Sequence, residues 1–188
     1  RVTSQTDNLT GNVTAFTYDA SNRTTRSVTT NSQGQAISTS VYETGVDGQP
    51  RISRQTDNLT GNVTTFAYNA NNQMTQSLTQ NPAGQAISTT NYVIGVDGSA
   101  QQRETIDNLT GNVTRFSYSP NGILMQSSTT NAQGRLLSTS EFRVGVDGQA
   151  RIHTQTDNLT GNVTTFSYNA SNQMTQSSTT PAAFVRRL

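Results

Sequence analysis

The chain lacks cysteine, tryptophan and lysine altogether, and has one histidine, His153, in 188 residues. Without cysteine there can be no disulfide and no thiolate metal site, although the compartment stays open. A lone histidine has no partner for general-base or metal chemistry, and it is expected as an exposed strand residue. Charge is also scarce, at 12% of residues and a net +1, so neither nucleic-acid steering nor a polyanionic tail is indicated. All twelve basic residues are arginine. Arg186 and Arg187 near the end are too few to argue for nucleic-acid binding. Hydrophobic residues make up only 30%, which is thin for a conventional two-sided core. There is no apolar run of about 18 residues, so no membrane-spanning helix and no membrane insertion are expected. The chain starts at Arg1 without Met or a signal peptide, so it is expected to be a piece of a longer or processed protein.

What the chain does have is repetition. "NLTGNVTTFSYNASNQMT" at Asn158 to Thr175 has near-copies starting at Asn8 and Asn58 and a looser one at Asn108. Units begin at Arg1, Arg51, Gln101 and Arg151 with no insertion between them. Fixed self-similarity of this length marks a repeat architecture. The array is expected to span 1–180, as 1–50, 51–100, 101–150 and a partial 151–180. A divergent segment, 181–188, begins where "NAQGRLLS" at Asn131 to Ser138 gives way to "PAAFVRRL".

Each full repeat holds four tetrapeptides of one chemical kind: Asn8-Leu-Thr-Gly11, Asp19-Ala-Ser-Asn22, Asn31-Ser-Gln-Gly34 and Gly45-Val-Asp-Gly48 in the first. Asn or Asp at the first position of a type I turn caps its own backbone, and Gly or Asn at the last tolerates positive φ. Asn81-Pro82-Ala83-Gly84 and Ser119-Pro120-Asn121-Gly122 put proline second, where that turn wants φ near −65°. The left-handed positions are therefore Gly11, Asn22, Gly34, Gly48, Gly61, Asn72, Gly84, Gly98, Gly111, Gly122, Gly134, Gly148, Gly161 and Asn172. Short stretches rich in Thr, Val, Tyr and Phe lie between them, and nothing reads as a helix. The expected fold is all-β: an antiparallel meander of about fifteen short strands, curled or spiralled because so wide an open sheet seldom stays flat.

Type I turns followed by a left-handed residue make three-residue hairpin loops, which pair the residue leading each turn with the one after its left-handed residue. Stepping outward by that rule builds one cross-strand row: Val2, Tyr18, Thr24, Tyr42, Ile52, Tyr68, Met74, Tyr92, Gln102, Tyr118, Leu124, Phe142, Ile152, Tyr168 and Met174. All but Thr24 and Gln102 are apolar or aromatic, and a one-residue slip would scatter them across both faces. Phe16, Phe66, Phe116 and Phe166 fall on the same face, while the opposite face, through Thr17, Thr25, Val41, Ser53 and Ala67, is mostly polar and includes His153. Ile52 and Tyr68 are expected as neighbours.

No motif points to a reaction or a bound group, so no catalytic, cofactor or metal residue is assigned. Asp47, Asp97 and Asp147 in "GVDG" supply one carboxylate per loop, whereas calcium needs six to eight oxygens. Asp7, Asp57, Asp107 and Asp157 precede the Asn of the turn, where capping is their expected role. The glycines have no strand-to-helix context for cradling phosphate. N-L-T and N-V-T at Asn8, Asn12 and their copies would carry glycans only in a eukaryotic secretory setting.

"GNVTAFTYDASNRTT" at Gly11 to Thr25 resembles the YD/Rhs repeat, approximately G-x-x-T-x-Y-x-Y-D-x-x-G-R-L-T. Gly11, Thr14, Phe16, Tyr18, Asp19, Asn22, Arg23 and Thr25 fall on the corresponding positions. Later copies depart, with Asn69, Ser119 and Asn169 in place of Asp19. The resemblance covers Arg1 to Thr180. It implies antiparallel strands spiralling into a hollow shell, as in bacterial polymorphic toxins, insecticidal toxin complexes and teneurins, and a secreted or cell-surface location. It also implies an enclosed toxin or a surface receptor as partners. Family shells use many more repeats, so 188 residues would supply only an arc of such a wall.

The expected function is therefore architectural and non-enzymatic: a shell segment, stalk or filament body that pairs with itself or continues a longer wall. The alternative is an adhesin or binding module reading glycans or a receptor through an exposed sheet face.

Overall fold

The computed structural model describes residues 1–182; of the divergent segment, 183–188 lie outside the described residues. The chain divides into two compact units, Arg1–Tyr92 and Val93–Leu188. The first holds β1 (Ser4–Thr6), β2 (Val13–Tyr18), β3 (Thr24–Thr30), β4 (Ala36–Thr44), β5 (Pro50–Asp57), β6 (Val63–Tyr68), β7 (Met74–Gln80) and, as far as Tyr92, β8 (Ala86–Ile94). The second holds β9 (Ala100–Asp107), β10 (Val113–Tyr118), β11 (Leu124–Thr130), β12 (Leu136–Val144), β13 (Ala150–Asp157), β14 (Val163–Tyr168) and β15 (Met174–Thr180). The fold is all-β and antiparallel, with strand order following chain order and no helix among the described residues.

Each strand forms because β-branched and aromatic residues run between obligatory turns. The tight turns close as a type I turn with a left-handed fourth residue: Asn72 N–H donates to the Asn69 carbonyl (3.0 Å) and Asn69 N–H to that of Gln73 (2.9 Å). The Asn69 side chain completes the cap, accepting from the amides of Asn71 (2.9 Å) and Gln73 (3.0 Å).

The register differs from a single constant offset in two ways. Beside each tight turn the expected pairs form, as in Tyr18↔Thr24, Tyr42↔Ile52, Tyr68↔Met74 and Phe142↔Ile152. One residue further on, a β-bulge intervenes: Tyr42↔Ile52 is followed by Val41↔Arg54, leaving Ser53 extra. Thr25 and Ile37 are extra in the same way. The second difference lies at the "DNLTG" turn. It is a four-residue loop, 58–61, closed between Asp57 and Asn62, with Gly61 N–H to the Asp57 carbonyl (2.8 Å) and Asp57 N–H to that of Asn62 (2.9 Å). It therefore pairs Gln55↔Thr64, one residue off the expectation.

The two departures offset each other across β5, so Tyr42 and Tyr68 keep the same face. They do move individual neighbours. The β3–β4 ladder puts Ser27 opposite Ser40, and Tyr42 reaches Ser27 (Oη to Oγ 3.3 Å) instead of lying opposite Thr24. His153 is the extra residue of the β12–β13 bulge and is half-buried rather than exposed.

No hydrophobic side chain is fully buried among the described residues. The ladder residues Tyr18, Tyr42, Ile52, Tyr68, Met74, Tyr92, Tyr118, Leu124, Phe142, Ile152 and Tyr168 are half-buried, and Met174 is exposed. The deepest side chains are the hydroxyls Ser27, Ser40 and Thr90. Short residues there let the larger rings lie across the strand. Stability accordingly comes from backbone ladders, cross-strand pairs and turns rather than from a sealed interior.

Candidate functional site

Among the described residues, the candidates for function are the repeated local structures, beginning with the turns. All fourteen expected left-handed residues have positive φ, from 59° at Asn72 to 80° at Gly84. In this region a side chain costs energy unless it is Gly or Asn, which explains the spacing of those two residues.

The aspartate of each "DNLTG" loop organises its own turn. Asp57 accepts from the Leu59 amide (2.9 Å), the Thr60 amide (3.3 Å) and the Thr60 hydroxyl (2.8 Å). These donors hold the carboxyl below the ordinary aspartate range, the Thr60 hydroxyl contributing most. Asp7 and Asp107 are lowered in the same way, chiefly by the hydroxyls of Thr10 and Thr110, and Asp157 chiefly by the Leu159 amide. A carboxyl depressed in the folded state favours folding above its ordinary pKa and loses that effect as pH falls through the lower folded value. Carbon-13 NMR of the carboxyl groups should therefore find these four aspartates titrating below an unfolded-peptide reference. Thr60→Val should bring Asp57 back toward it. Titration of Asp57 at the reference value would contradict the capping role. These loops are self-satisfied turns, and no group of three or more His, Cys, Asp or Glu is placed to hold a metal among the described residues.

Tyrosine hydroxyls form a second repeated feature. The β5–β6 ladder ends at Arg54↔Thr65, so the Ile52 carbonyl lies beyond backbone pairing. Tyr68 donates its hydroxyl there (2.8 Å), as Tyr168 does to Ile152 (2.8 Å) and Tyr118 to Gln102 (2.9 Å). Tyr18 makes the same bond to the Val2 carbonyl. Ile52 and Tyr68 are thus neighbours, joined through this bond rather than as a ladder pair. Partial burial raises the Tyr68 and Tyr118 hydroxyl pKa values above the ordinary tyrosine value.

Beside two of these tyrosines lie equivalent open cavities of about 400 Å³ each. Val46, Arg51, Phe66, Tyr68 and Asn72 line one, and Val146, Arg151, Phe166, Tyr168 and Asn172 the other. Asn72 Oδ1 accepts the Val46 amide (3.0 Å), tying adjacent turns together, and Arg51 reaches Asp47 (2.5 Å). Gly45 leaves room for both, since a Cβ there would sit 2.5 Å from Asn72 Oδ1 and 3.0 Å from Arg51 Nε. The first and third repeats differ. Arg1 lies over the Tyr18 ring, 4.9 Å from its centroid, and Gln101 replaces the arginine, donating to the Gly122 carbonyl (3.0 Å). The sequence rule did not mark this arginine, although its position at the head of three repeats was visible.

No family model matches the chain, and no curated protein matches it in sequence. Among solved structures it is similar to a Photorhabdus luminescens Tc holotoxin pore with mutated TccC3, at 17% identity and TM-score 0.41, over 95% of this chain and 11% of that one. A crystal structure of TcdB2-TccC3-Cdc42 gives 17% identity and TM-score 0.40, over 91% and 10%. A porin-like protein from Bacteroides uniformis gives 15% and 0.44, over 94% and 90%. The chain spans about a tenth of the length of the toxin chains it matches.

Proposed function

We propose that the chain is a non-enzymatic structural repeat: a stretch of β-wall in a secreted or cell-surface bacterial protein, working through its continuous strand pairing. The observation that carries this is that turns and strand pairings recur from copy to copy, while half-buried aromatics stay partly open to solvent. The YD/Rhs-like phrase at Gly11 to Thr25 supports the assignment to a bacterial exported protein. Its partners are further chain of the same repeat, either a second copy or a longer wall; an enclosed toxin or receptor belongs to the same reading. Negative-stain electron microscopy of the purified protein tests this. Fibres, sheets or closed shells are the expected result, and dispersed single particles at every concentration would overturn it.

The two Arg–Phe–Tyr–Asn cavities favour a second reading, an adhesin taking small polar ligands such as glycans at each. Glycan-array binding lost in a combined Arg51→Ala and Arg151→Ala variant would select that reading.

A further inference from the structure

The second and fourth repeats build the same cavity with different charges. One is lined by β5 and β6 beyond their last ladder pair, Arg54↔Thr65, and the other by β13 and β14 beyond Thr154↔Thr165. Both lie inside the array, with β4 and β7 flanking the first and β12 and β15 the second. Arg51, Phe66, Tyr68 and Asn72 recur as Arg151, Phe166, Tyr168 and Asn172. Two changes between the linings bear on charge: Glu43 is replaced by Arg143, and Ser53 by His153.

Those changes reverse the sign of the site. Arg51 and Arg151 each hold an aspartate at 2.5 Å, Asp47 and Asp147 respectively. With Glu43 added, the second-repeat cavity carries one net negative charge. With Arg143 added, the fourth carries one net positive charge, before any contribution from His153. The ladder sets Glu43 opposite Arg51, but Arg143 opposite Arg151. Like charges directly opposite each other destabilise a strand pair, and an anion between them relieves that repulsion. Arg143 forms no ion pair among the described residues. Glu141, two residues before it, accepts the Thr154 hydroxyl (3.2 Å) and is not part of the lining.

We propose that the fourth-repeat cavity is a site for an acidic sugar, a pyranose carrying a carboxylate, and that the second-repeat cavity rejects the same group. The inference rests on the glycan-binding reading of these cavities and names the class of glycan. The carboxylate would lie between Arg143 and Arg151, whose planar forks match its two oxygens. His153 would add an N–H donor, and the Phe166 and Tyr168 rings an apolar wall for the sugar ring. Tyr168 keeps its hydroxyl on the Ile152 carbonyl (2.8 Å), which fixes its ring in place. The volume of about 400 Å³ falls within the range of small-ligand sites. In the second repeat Glu43 would meet the carboxylate with like charge, which gives discrimination between two otherwise matching cavities.

The test uses the full chain and two labelled probes, tri-galacturonate and its fully methyl-esterified form, which share a sugar backbone and differ in charge. Fluorescence anisotropy should show the acid bound about tenfold more tightly than the ester, the usual effect of one charge-assisted hydrogen bond. Arg143→Glu, which restores the residue of the second repeat, should abolish that preference. Glu43→Arg combined with Ser53→His should add a second acid-binding site. Circular dichroism checks that both variants keep their sheet. Equal affinity for acid and ester, no binding of the acid, a preference that survives Arg143→Glu, or unchanged stoichiometry in the Glu43→Arg and Ser53→His variant would each overturn the proposal. Equal affinity that is lost in the Arg51→Ala and Arg151→Ala variant would leave the glycan-binding reading standing. Binding of neither probe, together with an empty glycan array, would remove both.

Discussion

Gly61→Val should destabilise the chain by about 2–4 kcal/mol, while Gly84→Val costs about half as much. Both glycines are left-handed, with φ of 75° and 80°, so both substitutions incur the αL strain of roughly 1–2 kcal/mol. They differ in space. A Cβ at Gly61 would lie 2.9 Å from Cγ of Pro82, whose ring cannot swing away, whereas a Cβ at Gly84 meets nothing within 4 Å. The same crowding recurs between Gly111 and Ala132, at 2.8 Å, so turns along this rim pack against one another. Asparagine separates the two causes, since Asn22, Asn72 and Asn172 show that it accepts this φ. Gly84→Asn should be nearly neutral and Gly61→Asn should still destabilise. Urea midpoints for the four variants decide the matter; equal costs at the two sites would remove the turn-packing explanation.

Tyr68→Ala should cost about 2–3 kcal/mol, and Tyr68→Phe about 1 kcal/mol of that. The phenylalanine variant keeps the ring against Met74 and deletes only the hydroxyl that serves the Ile52 carbonyl. In a repeat array each unit leans on its neighbours, so the loss should be local. Hydrogen exchange should accelerate in β5 and β6 before β2 and β3 respond. A Tyr68→Phe chain as stable as the parent would mean that water satisfies Ile52 equally well.

The turns were legible in the sequence because positive φ has few solutions: Gly11, Asn22 and Gly34 announce themselves by residue type. Strand content was legible for the same reason, as Thr, Val, Tyr and Phe fill the gaps between turns. The pairs beside each turn followed, including Tyr42↔Ile52 and Tyr68↔Met74. The bulges were not legible, since Thr25, Ile37 and Ser53 are ordinary strand residues and no composition marks an extra one. The four-residue loop did carry a signal: Asp57 with Thr60 three residues later resembles a capped first turn, and reading Asn58 as the turn's first residue misplaced it by one. His153 is half-buried for the first reason, because it occupies a bulge that a constant register cannot contain. The Arg51 and Arg151 cavities depend on how neighbouring turns converge, which no single repeat displays.

Sedimentation velocity across a wide dilution series addresses the central claim most directly. A chain whose half-buried aromatic ladder has no fully buried apolar side chain should not persist as an isolated monomer. The account predicts a weight-average mass above the 20.2 kDa monomer that rises with concentration. A single 20.2 kDa species at every dilution, with a cooperative melt, would contradict it.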